Sequence, residues 1–391
     1  MPGLLGLMTS RQTNHLPPDY LPHNPQLRQR PRKPLAKMSP LLQEAVLNEP
    51  GRSTTAYSST VSRPVPVNPS MRLGVLNNPL SGGNRNGLDA IYKIQKEFPQ
   101  IPHREARTPA EISAALSEFA KREINLVAIN GGDGTIQAVL TTLHRQSPFQ
   151  FPPLLSVLRA GTTSMIAGDV GLRGSRVSSL RTLCAWTEAS HRSTHFPVIL
   201  RRPVLRIHSA HTPEPIFGMF FGTGGITQGI EFCRSRIHSL GLRGEIGAGL
   251  ATALLLASLL RKRSSYVTPT PIATTLNESP TTQHECLIVM VSTLERLFAG
   301  LRPYWGREIA PLHYTLLRAK PQYMYRTLPA LLRGREHPYG TPEHGYISHN
   351  VERVCFQLEC PFTLDGELFG INGESHQVTV ESGGHASFVR I

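Results

Sequence analysis

Apolar positions fall into short runs punctuated by glycine, asparagine and proline. From Met71 onward these runs alternate between two periods. Leu73-Gly74-Val75-Leu76 is continuously apolar and is closed by Asn77-Asn78-Pro79, which predicts a short buried strand. Leu88, Ile91, Ile94, Gln95 and Phe98 then recur at helical spacing. Thr108-Pro109-Ala110-Glu111 predicts a helix start, with a capping threonine, a proline in the first turn and a glutamate three residues on. That helix is expected to run to Lys121. Ile124–Ile129 is a second buried strand, followed by a helix over Ile136–His144. Leu154–Leu158 is a third strand, and a further helix is expected after Arg159-Ala160-Gly161-Thr162-Thr163. Strands alternating with helices imply a parallel sheet covered on both faces.

The second half changes period. Val198–Ile207, Ile216–Phe221, Leu287–Val291, Tyr314–Leu317, Val354–Leu358 and Gln377–Val380 read as strands. Helices are expected near 246–260 and Pro321–Leu332. The organisation expected is an α/β domain over 71–195 and a β-rich, sandwich-like domain over 196–391, preceded by an arm over 1–70. The arm holds twelve of the 33 prolines, with eight basic and three acidic side chains. That composition predicts mostly disordered chain able to touch anionic lipid or nucleic acid. A passive extension without a partner explains the same composition.

The chain has 391 residues and a formal charge of +14, with 39% apolar residues, which fits a two-domain globular body. Collagen, coiled coil and full-length disorder are excluded. Five cysteines (Cys184, Cys233, Cys286, Cys355 and Cys360) without a CxxC argue against a disulfide framework or zinc ribbon and fit a reducing cytoplasm. His191 and His195 share a helical spacing but have no third metal ligand nearby. The N-terminus lacks a basic region ahead of its short apolar stretch, so no export signal is expected. The longest apolar run, Ile246–Leu260, has fifteen residues, short of the roughly twenty a spanning helix needs. Arg261-Lys262-Arg263 closes that run, which allows a membrane-surface role but equally suits a helix C-terminus.

Gly131-Gly132-Asp133-Gly134-Thr135 carries the most chemistry. It lies between a buried strand and a helix start. Its glycines allow close backbone approach to an anion, and the helix N-terminus presents unpaired N–H groups. A carboxylate there points to a cation such as Mg²⁺, with Asp133 as its ligand. The plain alternative is a tight strand–helix turn with Asp133 as helix cap. Asn78-Pro79-Leu80-Ser81-Gly82-Gly83 follows the first strand, and Gly161-Thr162-Thr163 follows the third. Loops after parallel strands gather on one sheet edge, so the three loops form a candidate polyphosphate cradle. No GxxxxGK[ST] occurs, and no GxGxxG with a following acidic residue.

Together, Asn78-Pro79-x-Ser81-Gly82, Thr108, Gly131-Gly132-Asp133-Gly134-Thr135 and Gly161-Thr162 resemble the diacylglycerol kinase catalytic domain. That family includes bacterial diacylglycerol kinases, YegS-like lipid kinases and sphingosine kinases, and is distantly related to NAD kinase and phosphofructokinase. The resemblance spans about Leu73 to Glu367. It implies a nucleotide-binding α/β domain followed by a β-sandwich-like domain, with the active site in the cleft. It also implies transfer of the γ-phosphate of ATP, with Mg²⁺, to the hydroxyl of a diacylglycerol-like or sphingoid lipid. The implied nucleotide set is Asn78, Ser81, Gly82, Thr108, Gly131, Gly132, Gly134, Thr135, Gly161 and Thr162, around Asp133. Leu364-Asp365-Gly366-Glu367 resembles the family's Asp-Gly-Glu motif, which implies Glu367 as a catalytic base for the lipid hydroxyl; the resemblance to sphingosine kinase-like members implies the same catalytic role for Asp133. Without the family, Asp365-Gly366 reads as a hairpin turn.

The chain departs from the family at three places. Gly-Thr-Gly-Asn-Asp-Phe-Ala is replaced by Gly161-Thr162-Thr163-Ser164-Met165-Ile166-Ala167, with Asp169 as a partial substitute one turn on. Gly222-Thr223-Gly224-Gly225-Ile226-Thr227-Gln228 lacks the aspartate of Gly-x-Gly-Phe-Asp-Ala. Glu308-Ile309-Ala310-Pro311-Leu312 stands where Asp-Asp-Gly-x-Leu is expected. The alternatives are therefore a catalytically impaired nucleotide- or lipid-binding protein on the same fold, or a soluble-acceptor kinase such as an NAD kinase. The partners implied are ATP, a lipid and an anionic membrane surface at the cytoplasmic side. A homodimer is allowed. No reader motif supports nucleic-acid binding.

Overall fold

The computed structural model describes residues 71–85, 87–161, 164–189, 197–232 and 267–391. The basic arm, the apolar helix expected near 246–260, the His191/His195 pair, Cys233 and Thr162 lie outside these residues. The described residues fall within one compact unit, Pro40–Ile391.

The first half builds as its periodicity dictates. Strand β1 (Leu73–Asn77) is buried throughout and ends at the Asn-Asn-Pro break. Helix α1 (Asp89–Glu97) buries Ile91 and Ile94. β2 (His103–Glu105) was not expected: three largely polar residues give no strand signal, and pairing with β1 alone makes them one. Helix α2 (Pro109–Lys121) starts where the sequence placed it. The Thr108 hydroxyl accepts the Glu111 N–H at 3.2 Å, and the Glu111 carboxylate accepts the Arg107 N–H at 2.7 Å. β3 (Leu126–Gly131), α3 (Asp133–Arg145), β4 (Leu154–Arg159), α4 (Met165–Val170) and α5 (Arg176–Glu188) follow.

The four strands run parallel in the order β4-β3-β1-β2. Period-two alternation sends Leu76, Val127, Ile129, Leu155 and Val157 to one face, where they pack with residues of α2, α3 and α4. Leu73, Val75, Leu126 and Ala128 face the other way, against α1 and α5. The parallel sheet is thus covered on both faces, as expected.

The second half is β-rich. Strands β5 (Val198–Ser209), β6 (Ile216–Gly218) and β7 (Phe220–Gly224) lead into helix α6 (Gly225–Phe232). β8 (Thr270–Leu276), β9 (Thr282–Ser292) and β10 (Leu312–Arg318) precede helix α7 (Met324–Leu331). β11 (Tyr346–Val351), β12 (Arg353–Leu358), β13 (Phe362–Leu364), β14 (Glu367–Phe369) and β15 (His376–Arg390) complete the chain. Within this half the strand pairs are antiparallel, around a core that includes Phe221, Val289, Tyr314, Phe356 and Phe362. β8, β11, β13 and β14 went unread in the sequence: β8 is threonine-rich, β13 and β14 have three residues each, and the polar run Ser348-His349-Asn350 interrupts β11.

β15 ties the halves together. Its upper part pairs with β12, and Phe388 then meets Leu155 of β4 in parallel register. Phe388 and Ala386 share a core with α2 and α3, as do Leu200 and Val204 of β5. Among the described residues, no helix is long and apolar enough to cross a membrane. Cys184, Cys286, Cys355 and Cys360 are free thiols.

Candidate active site

The loops after β1, β3 and β4 meet at the C-terminal edge of the parallel sheet. Hydrogen bonds and bare backbone contact join them. The Asn78 N–H donates to the Asn130 carbonyl at 3.0 Å, and the Gly83 N–H to the Ala160 carbonyl at 2.9 Å. The Gly132 N–H donates to the Ser81 hydroxyl at 3.0 Å. The Asn78 side-chain amide donates to the Thr135 hydroxyl at 2.8 Å. The Asn84 amide donates to the carbonyls of Asn78 (2.7 Å) and Asn130 (3.1 Å).

Glycine is a steric necessity at two of these positions. A Cβ on Gly131 would lie 2.5 Å from the Thr135 side chain, and one on Gly161 would lie 2.8 Å from the Gly132 Cα. Two peptide backbones therefore touch where the second and third loops cross. Any side chain there would push the cradle apart.

Asp133 stands at the start of α3, where Gly132 is the N-cap. It is 6% exposed. Its carboxylate accepts the N–H groups of Met165 and Ile166, each at 3.0 Å. Asp133 thus caps α4, the helix that follows the third loop. Ser164 at the N-cap of α4 adopts φ +46° and makes no side-chain cap of its own. This bond pair welds the second loop to the third.

Glu367 reaches the same place from the far end of the chain. β13 and β14 form a hairpin whose two-residue turn is Asp365 (φ +50°) and Gly366 (φ +93°). The hairpin reading of Asp365-Gly366 is therefore correct, and the side chain of Asp365 does more. It is 3% exposed and accepts the N–H groups of Met219 (3.0 Å) and Phe220 (2.8 Å). A Cβ on Gly218 would strike its carboxylate at 2.4 Å. Burial and the neighbouring charge of Asp133 push Asp365 well above the usual carboxylate range, against the pull of its two backbone donors. With the turn clamped in this way, the exposed Glu367 Oε1 lies 3.0 Å from the Cβ position of Gly134.

The structure thus brings together Asn78, Ser81, Gly131, Gly132, Asp133, Gly134, Thr135, Gly161 and Glu367. Gly82 lies in the turn Gly82–Asn84. Thr108 caps α2, and among the described residues no hydrogen bond links it to the three loops. Asp169, the expected substitute carboxylate, is buried and committed elsewhere. It accepts Arg202 Nε at 3.1 Å and the Glu295 N–H at 3.3 Å. Sequence reasoning missed Asn84, whose side-chain amide bridges two loop carbonyls, and Gly218, whose lack of a Cβ makes room for Asp365; neither contact leaves a compositional trace. Among the described residues no group of three or more His, Cys, Asp or Glu is placed to hold a metal ion.

Residues 72–192 match the family model described as the diacylglycerol kinase catalytic domain. Two solved structures of candidate diacylglycerol kinases from Bacillus anthracis str. Sterne share the fold. One aligns with a TM-score of 0.54 at 16% identity, covering 81% of this chain and 96% of its own. The other aligns with a TM-score of 0.54 at 14% identity, covering 82% and 97%. No curated protein matches the chain.

Proposed function

We propose that the chain is an ATP-dependent lipid kinase that transfers a γ-phosphate to the hydroxyl of a diacylglycerol-like or sphingoid lipid. The observation that carries this reading is the convergence of Glu367 on the Gly132–Thr135 turn. A candidate phosphate cradle and the Glu367 carboxylate stand side by side on the sheet edge. Residues 71–195 would hold the nucleotide and residues 196–391 the acceptor, at the cytoplasmic face of a membrane.

Each residue has a stated task. Gly132 and Gly134 leave room for the phosphates against the backbone, at the N-terminus of α3. Asn78 and Ser81 fix Thr135 and Gly132, so the turn is set before nucleotide arrives. Glu367 is exposed at the hairpin tip and takes the proton of the attacking hydroxyl. Positioning and charge supply most of the rate in phosphoryl transfer.

Magnesium fits this site only in a particular way. The Asp133 carboxylate stands within the cradle, where it accepts the Met165 and Ile166 N–H groups, and Mg²⁺ in nucleotide sites is bound through one or two carboxylates plus phosphate oxygens and water. Asp133 is then its protein ligand. When bound, the ion neutralises charge on the transferring phosphoryl group. The commitment of Asp169 to Arg202 favours one second reading, a nucleotide- or lipid-binding protein with little turnover.

The test is a kinase assay with labelled ATP and a lipid panel, comparing the wild type with Glu367→Gln. Label in lipid that the variant lowers at least a hundredfold supports the proposal. Nucleotide binding without turnover on any lipid supports the second reading.

A further inference from the structure

The stretches 78–84, 131–135 and 160–163 hold no lysine or arginine, while Asp133 adds a negative charge. Arg85, further along the first loop, turns its Nε back to the Leu80 carbonyl. A triphosphate with up to four negative charges needs positive charge from outside these stretches.

Arg176 is placed to supply it. Ser175 caps α5 by accepting the Ser178 N–H at 3.2 Å, which makes Arg176 the first helical residue. From there its Nη1 donates to the Gly83 carbonyl and to the Asn84 side-chain oxygen, both in the loop after β1. Three features of this arrangement cost stability. A cation stands at the positive end of a helix that has no acidic residue in its first turn. Both oxygens it bonds are neutral. Its Nε is buried and bonded to nothing among the described residues. Burial also pulls Arg176 below the ordinary guanidinium value. A local rule broken without compensation beside a candidate site marks a residue kept for a ligand.

We propose that Arg176 is the positioning cation of the phosphate cradle: it pins the Gly83–Asn84 turn against Ala160 and turns its charge toward the nucleotide's terminal phosphates. Its bond to Gly83 acts on the same residue whose N–H holds Ala160, so the guanidinium locks the first loop to the third. This inference deepens the kinase reading and rests on it.

The test is displacement of a fluorescent nucleotide from the full chain by Mg·ATP and by AMP, for wild type, Arg176→Lys and Arg176→Gln, with a thermal melt of each. Loss of a charged donor predicts that Arg176→Gln weakens ATP binding by about tenfold or more. The fall for AMP should be smaller, and the melting temperature should not drop. Lysine keeps the charge without the fork and should lose severalfold, between the other two. ATP affinity unchanged in Arg176→Gln overturns the inference, as do equal losses for ATP and AMP, which mark a purely structural role. Should Arg176→Gln fail to fold, unchanged ATP affinity in Arg176→Lys overturns it. A wild type that binds no Mg·ATP sinks the nucleotide reading itself. A wild type that binds, with variants that match it, sinks only this inference.

Discussion

Gly134 and Glu367, from opposite ends of the described chain, meet so closely that a methyl group on Gly134 would sit 3.0 Å from the Glu367 Oε1. The contact joins the helix start that follows the phosphate loop to the tip of a hairpin in the β-rich half. It makes the site a product of both halves, and it yields a mutation that separates stability from activity. Gly134 has an ordinary helical backbone, and alanine is worth about 1 kcal/mol over glycine in a helix interior. Gly134→Ala should therefore fold at least as stably as wild type in a urea melt. The same methyl displaces Glu367 by a few tenths of an ångström or more, and turnover should fall about tenfold.

Asp365 holds the hairpin in place through the N–H groups of Met219 and Phe220. Replacing it with alanine strands two buried donors. Asp365→Ala should cost about 3 kcal/mol of stability in urea denaturation. Asp365→Asn keeps one acceptor oxygen and should cost less than alanine does. Equal costs for the two variants would argue that the hairpin, not the clamp, sets the geometry.

Much of this site was legible in the sequence because strand–loop–helix chemistry is local. Thr108-Pro109-Ala110-Glu111 capped a helix where its residues said it would. Asn78, Ser81 and the Gly131–Thr135 turn converged because loops after parallel strands share an edge. What was illegible was mostly long-range. Nothing in the residues around Asp133 announces that its carboxylate caps the helix at Met165, and nothing around Asp169 announces Arg202. β2 escaped because a three-residue edge strand gets its identity from its neighbour. The return of β15 to β4 depends on the whole topology.

The Asp169–Arg202 pair joins α4 to β5, with side chains 3% and 11% exposed. Breaking such a pair leaves one buried charge alone. Asp169→Ala should cost about 3–5 kcal/mol, and the double replacement Asp169→Leu with Arg202→Met should cost clearly less. A double-mutant cycle by chemical denaturation measures the difference.

His103 lies beneath the loops, where its Nδ1 meets the Asn77 side-chain amide at 3.4 Å. Burial lowers it to about 4. The unfolded chain takes up this proton near pH 6.5, before the folded protein does, so the stability His103 contributes is complete above pH 6.5. It is lost as pH falls from 6.5 toward 4 and changes no further below that. The loss approaches about 3 kcal/mol at its limit. His103→Gln should flatten this part of the stability–pH curve. An unchanged acid slope in the variant would show that His103 is already free to protonate in the folded state.

The central claim is that the Gly131–Thr135 turn receives the terminal phosphates of ATP. A crystal structure of the chain saturated with magnesium and a non-hydrolysable ATP analogue tests it most directly. The account predicts phosphate density against the backbone of Gly132 and Gly134, within reach of Glu367 and of the loop that Arg176 holds. An empty turn at saturating analogue, or nucleotide bound at another edge of the sheet, would contradict it.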